Sequence, residues 1–120
     1  LSPPILLAAL SLGPPCPTPD NVKAEGKCAF IYKSPPCNEQ IRKLNNKTKL
    51  LTLNAKWDDS ISSVIVATDC RLFVYSKPCF GGSYIVLKGS RNLNNVLRYM
   101  PSYQAGNWSN VISSLCCWCD

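Results

Sequence analysis

The sequence predicts an all-β protein, two Greek-key motifs forming one disulfide-rich sandwich, and three observations predict it. Eight cysteines fall within 120 residues, a density that reads as a disulfide framework made in an oxidising compartment. Short β-branched and aromatic runs recur roughly every ten residues between turn-forming pairs, as in sandwiches and barrels. Two landmarks also repeat in the same order along the chain, which argues for a duplicated unit.

Residues 1–27 hold six of the ten prolines, at positions 3, 4, 14, 15, 17 and 19. They are expected to form an amino-terminal arm without regular helix or central strand. Within the arm, residues 1–12 (LSPPILLAALSL) are apolar but too short to cross a bilayer, and they lack the basic region of an export signal. The chain starts at Leu1 rather than methionine, as expected after processing. Two readings stay open, a remnant of the export signal or a mature arm. The expectation is an extended segment packed on its own domain or on a second copy, with self-association through residues 1–15.

From residue 28 to 120 a single domain is expected. Strands suit 28–32 (CAFIY), 49–53 (KLLTL), 63–67 (SVIVA), 71–75 (RLFVY), 83–87 (SYIVL) and 111–115 (VISSL). Ser34-Pro35-Pro36, Asn45-Asn46, Asp58-Asp59, Lys77-Pro78, Gly81-Gly82 and Asn94-Asn95 are turn chemistries between them. Residues 93–100 suit a helical turn. The repeat pairs 28–37 (CAFIYKSPPC) with 70–79 (CRLFVYSKPC), each bounded by cysteine and carrying proline just before the second one. It then pairs 57–63 (WDDSISS) with 108–114 (WSNVISS). The first key is expected at about 28–68 and the second at about 69–120.

Tyr75, Phe80 and Gly82 stand at the spacing aromatic, four residues, aromatic, one residue, glycine. With the two serine-ended loops, this makes residues 28–115 resemble the βγ-crystallins. The tyrosine would pack on a folded-over hairpin, and the glycine would take a backbone conformation that a β-carbon obstructs. The first copy departs from the pattern. Tyr32 is followed by Cys37 and Glu39 where an aromatic and a glycine should stand, so its hairpin is expected to be held by a disulfide.

The resemblance also implies calcium, bound through paired loops of the form N/D-N/D-x-x-S/T-S. Asp58, Asp59, Ser60, Ser62 and the closing Ser63 match that form. The second loop offers Asn110, Val111 and Ser113, with serine at its first position. By resemblance, Asp59 and the Ser62 hydroxyl supply side-chain oxygens and Ser60 a carbonyl, because calcium takes six to eight oxygens. The competing reading is that these polar residues satisfy loop backbone without metal. Ser63 and Ser114 are folding residues in eye-lens relatives that bind calcium poorly.

All eight cysteines, Cys16, Cys28, Cys37, Cys70, Cys79, Cys116, Cys117 and Cys119, are expected in four bridges. The repeat favours Cys28 with Cys37 and Cys70 with Cys79, each clipping one hairpin. The alternative joins Cys28 or Cys37 to the tail cluster, with Cys16 tying the arm to the domain. A zinc site would need spaced cysteine pairs, often with histidine; the chain has no histidine, only the compressed 116–119 (CCWC).

Catalysis has little support. The acids number seven, and the loop serines have no general base at hand. Net charge is +6, densest where Lys33, Arg42, Lys43, Lys47 and Lys49 face the single acid Glu39. That stretch reads as a solvated face, or as attraction to anionic membranes or acidic glycans; nucleic acid is not expected, since no recognition helix is visible. Asn46 and Asn107 head glycosylation sequons. The reading is a secreted, non-enzymatic binding or structural protein with an unidentified extracellular partner. The alternative is a cationic antimicrobial or toxin-like defence protein acting on anionic surfaces.

Overall fold

The structure, a computed structural model, describes residues 16–34, 37–54, 56–89, 96–97, 102–103, 106–107 and 111–120. Residues 1–15, with the apolar segment 1–12 and the expected self-association, lie outside them. The remainder of the expected arm is corrected: a helix, α1, runs Pro19–Ala24 in spite of the prolines. The reason is positional. Pro19 occupies the first helical turn, where its missing N–H has no partner to lose, and Thr18 and Asn21 form a reciprocal capping box. Val22 is wholly buried and Thr68 N–H donates to Pro19 O, so this segment is part of the domain.

Beyond the helix the described residues form ten strands. β1 (Ala29–Ser34), β2 (Asn38–Leu44), β3 (Thr48–Leu50) and β4 (Ser63–Val66) form the first repeat. β5 (Cys70–Lys77), β6 (Gly81–Lys88), β7 (Val96–Leu97) and β10 (Ser114–Cys119) form the second. Between β7 and β10 lies a small hairpin of β8 (Ser102–Tyr103) and β9 (Gly106–Asn107). The two main sheets have the orders β2-β1-β4-β7 and β3-β10-β5-β6. Each repeat therefore lends its third strand to the other's sheet, and the two Greek keys close over one interior.

The expected helical turn at 93–100 is corrected at the two residues described there, since Val96 and Leu97 pair with Ile65 and Val64. β2 is the strand that hydropathy does not announce. NEQIRKL is polar, and its extended form comes from pairing along β1.

The repeats are equivalent in register. Tyr32 lies opposite Ser63 and Tyr75 opposite Ser114. Ser62 N–H donates to Tyr32 O, and Ser113 N–H to Tyr75 O. Both hairpins shift register just after the tyrosine. The duplicated sequence has become a duplicated geometry.

Tyr32 is almost completely buried. Burial, with a smaller contribution from the charge of Glu25, pushes its phenol from 10.0 up to about 12. The folded state thus holds the neutral phenol while the unfolded chain ionises at the ordinary value. This contribution to stability is complete below pH 10 and is lost as pH rises towards 12. Urea midpoints are expected to fall across that window, and to fall less steeply in Tyr32→Phe.

Six cysteines form three bridges: Cys16–Cys37, Cys28–Cys117 and Cys70–Cys119. Cys79 and Cys116 carry free thiols. The expected Cys28–Cys37 and Cys70–Cys79 pairs are corrected by strand length. Each would join the two ends of one extended strand, six residues in β1 and eight in β5, or about 20 and 26 Å. A disulfide spans Cα atoms only about 4–7 Å apart. The alternative is what forms: Cys28 reaches across the sandwich to Cys117 in the tail cluster, and Cys16 ties the helix-bearing segment to the first hairpin at Cys37. Cys70 joins Cys119, its register partner on the neighbouring strand of the same sheet.

Candidate functional site

The loop 57–62 is shaped by its own side chains. The Asn54 carboxamide oxygen accepts from the N–H of Lys56 and of Trp57, starting a turn that drops the Trp57 ring into the core. Lys33 Nζ lies 5.4 Å from that ring's centre, a cation–π contact. Asp59 sits at φ 52°, a left-handed conformation that aspartate tolerates better than most residues. Its N–H donates to Ile112 O at 3.0 Å, and its Oδ1 accepts from Ser113 Oγ at 3.1 Å.

Asp59 and Ser113 belong to different keys, 54 residues apart. Among the described residues implied as calcium ligands, these are the pair that the structure joins across the keys. Ser60 Oγ donates within its own loop, to Lys56 O and Asp58 O. Ser62 Oγ donates to Lys33 O at 2.6 Å. Asp58 is exposed on the turn and Val111 is half-buried. Asn110 lies outside the described residues, as do Ser109 and the side chain of Asn107. Asn46 uses its side-chain oxygen to accept from Cys119 N–H at 2.8 Å.

Oxygen chemistry is the only metal chemistry that the described part of these loops supports. The sulfurs of Cys28, Cys70 and Cys119 lie within 4.8 Å of one another, but all three are consumed by disulfides, and a bridged sulfur is not a thiolate ligand.

The second hairpin carries the folded-over turn that the spacing implies. Its turn folds back onto β10, with Phe80 N–H donating to Ser114 Oγ at 3.0 Å and Ser114 Oγ donating to Lys77 O at 2.6 Å. Phe80 stacks against Tyr75 at 5.1 Å and Tyr75 against Tyr84 at 5.6 Å. Gly82 has φ 73°, and a Cβ there would run into Ser76 Oγ; this is the glycine that the spacing singled out.

A family model described as Syncollin matches residues 15–119. The chain belongs to the syncollin family. No curated protein matches it. Among solved structures, one described under the evolution of the eye-lens βγ-crystallin domain fold is 21% identical. It covers 79% of this syncollin-family chain and 87% of its own, with a TM-score of 0.59. A βγ-crystallin domain from Flavobacterium johnsoniae is 18% identical, covering 78% and 96%, with a TM-score of 0.59. A βγ-crystallin from Ciona intestinalis is 20% identical, covering 72% and 94%, at 0.51. At these identities the likeness establishes the fold, and the syncollin-family chain is βγ-crystallin-like.

The basic stretch is now legible in space. Lys43 Nζ lies 4.9 Å from the Phe30 ring and pairs with Glu25 at 2.8 Å, while Lys49 Nζ lies 5.2 Å from the Trp118 ring. Several of these cations therefore lie over aromatic rings, a use that sequence position alone does not reveal.

Proposed function

We propose that this chain is a secreted, non-enzymatic crystallin-like protein, built to persist outside the cell and stabilised by one weak calcium site. The observation that carries the calcium reading is the Asp59–Ser113 contact between keys. Two oxygens 3.1 Å apart suit neighbouring positions around an ion whose ligands lie at about 2.3–2.6 Å. Asp59 and Ser113 would hold the ion with the Ser60 carbonyl beside them, and their mutual hydrogen bond would be exchanged for two bonds to the metal. With a single carboxylate in the set, affinity belongs in the range of extracellular modules, Kd roughly 10⁻⁴–10⁻³ M. A bound ion would tie the keys together in the folded state alone, which favours that state by mass action.

Calorimetric titration with calcium chloride tests this. At roughly ten times Kd the folded state is expected to gain about 1.4 kcal/mol, read as a rise in melting temperature that Asp59→Ala abolishes. No heat and no thermal shift would retire the calcium reading.

The alternative, action on anionic surfaces, is favoured by one specific feature. The outer face of the β3-β10-β5-β6 sheet carries Trp118 at 36% and Tyr84 at 60% exposure. Lys49, Arg71 and Lys88 are exposed on the same pleat face. Aromatic rings flanked by cations suit a negatively charged interface. The chain is expected to sediment with phosphatidylserine vesicles at low salt and not with phosphatidylcholine vesicles. Binding should weaken in Trp118→Ala and vanish near 1 M salt, where the Debye length is about 3 Å.

A further inference from the structure

Two thiols are left over after the three bridges. Cys79 is exposed in the β5–β6 turn, and Cys116 is buried in β10. The hydrogen bonds of the turn place them on the same side of the same sheet. Leu115, Cys117 and Cys119 face the core or its bridges, so Ser114, Cys116 and Trp118 alternate onto the outer face. The turn folds down onto that face: Phe80 N–H reaches Ser114 Oγ, and Cys79 N–H reaches Leu51 O at 2.7 Å. Leu51 directly follows Leu50, the register partner of Leu115. Cys79 is thus held beside the Ser114 position of β10, and Cys116 is the next residue on that face, one pleat repeat or about 7 Å further along. Closing a bridge therefore requires the turn to shift along β10 until the Cα atoms come within disulfide reach.

We propose that Cys79 and Cys116 form a fourth disulfide, fastening the second hairpin to β10. Two further observations point the same way. Cys37, in the first hairpin turn, is already bridged to Cys16, so a sulfur clamp on each hairpin would complete the symmetry of the keys. The eight cysteines also leave no thiol unpaired once this bridge is made, as an oxidising compartment favours.

The chemistry is thiol–disulfide exchange with a small-molecule disulfide such as oxidised glutathione. The exposed Cys79 thiolate attacks one sulfur of the oxidant and releases one glutathione thiol, leaving a mixed disulfide. Cys116 then displaces the second glutathione, so two protein thiols lose two electrons and two protons and the oxidant becomes two thiols. Burial pushes the Cys116 thiol up from its ordinary value, which makes the exposed Cys79 the first to react.

The test uses the full chain refolded in reduced and oxidised glutathione, then counts maleimide-reactive thiols in guanidinium by intact mass. The expected counts are none in the parent chain, one in Cys79→Ser, one in Cys116→Ser and none in the double variant. Two reactive thiols in the parent chain would overturn the bridge. A parent chain that runs as a reducible dimer would overturn it too, with one reactive thiol if Cys79 alone makes the intermolecular link and none if Cys116 is linked to the second copy as well. A second readout does not depend on any variant folding. Cys79 is the sole cysteine in the tryptic segment 72–88, so in the unreduced parent digest that segment should travel joined to the carboxy-terminal peptide. Its release as a free alkylated peptide would refute the proposal.

Discussion

Replacing both Cys28 and Cys117 by alanine is expected to destabilise the protein by about 4–5 kcal/mol, more than any other single-bridge loss. The bridge closes a loop with a sequence separation of 89, and the restriction it places on the unfolded chain grows with the logarithm of that length. It also joins the residue just before β1 to the middle of β10, linking the two sheets through fully buried sulfurs. The Cys16–Cys37 bridge has a separation of 21, and the same relation gives about 3.3 kcal/mol for it. Urea unfolding followed by tryptophan fluorescence should therefore rank the two double-alanine variants in that order. Against the roughly 5–15 kcal/mol typical of a folded domain, the larger loss brings the chain close to unfolding at body temperature. A loss below about 1 kcal/mol for Cys28→Ala/Cys117→Ala would contradict the account.

The repeated landmarks make the fold legible because they are local. Tyr75, Phe80 and Gly82 mark a folded hairpin within eight residues, and the serine-ended loops mark where each key closes. The bridges are not legible in the same way, because pairing cysteines within a repeat ignores that a strand separates its own ends. Cys28 and Cys70 open their strands, and what lies beside a strand's opening is decided by sheet order, not by the next cysteine in the chain. The helix escapes a composition reading for a similar reason. Proline counts as a breaker by number, whereas Thr18-Pro19 with Asn21 two residues beyond is a start signal by position. In the site, Asp59 and Ser113 can be named from the loop form, but their contact is a product of the two keys facing each other. The other implied cross-key ligand, Asn110, lies outside the described residues.

Ser114→Ala is the second large effect, expected at about 2–4 kcal/mol although it deletes one oxygen atom. Ser114 is completely buried, and its hydroxyl serves two backbone groups of the turn at once, Phe80 N–H and Lys77 O. Alanine removes the partner of both and leaves two part-buried polar groups unmatched, each at about 1–3 kcal/mol. The turn needs those bonds more than most turns do. Cys79 and Phe80 are non-glycine residues at φ 58° and 59°, a region that carries strain for side chains. The Ser114 bonds, with Cys79 N–H on Leu51 O, offset that strain and hold Phe80 against Tyr75. Ser113→Ala is the matched control: its hydroxyl serves one exposed carboxylate, so the loss without calcium should be about 1 kcal/mol or less. Thermal denaturation of both variants in a calcium chelator separates the roles. If Ser113→Ala proved as damaging as Ser114→Ala there, the division between a serine that folds the hairpin and a serine that joins the keys would fail.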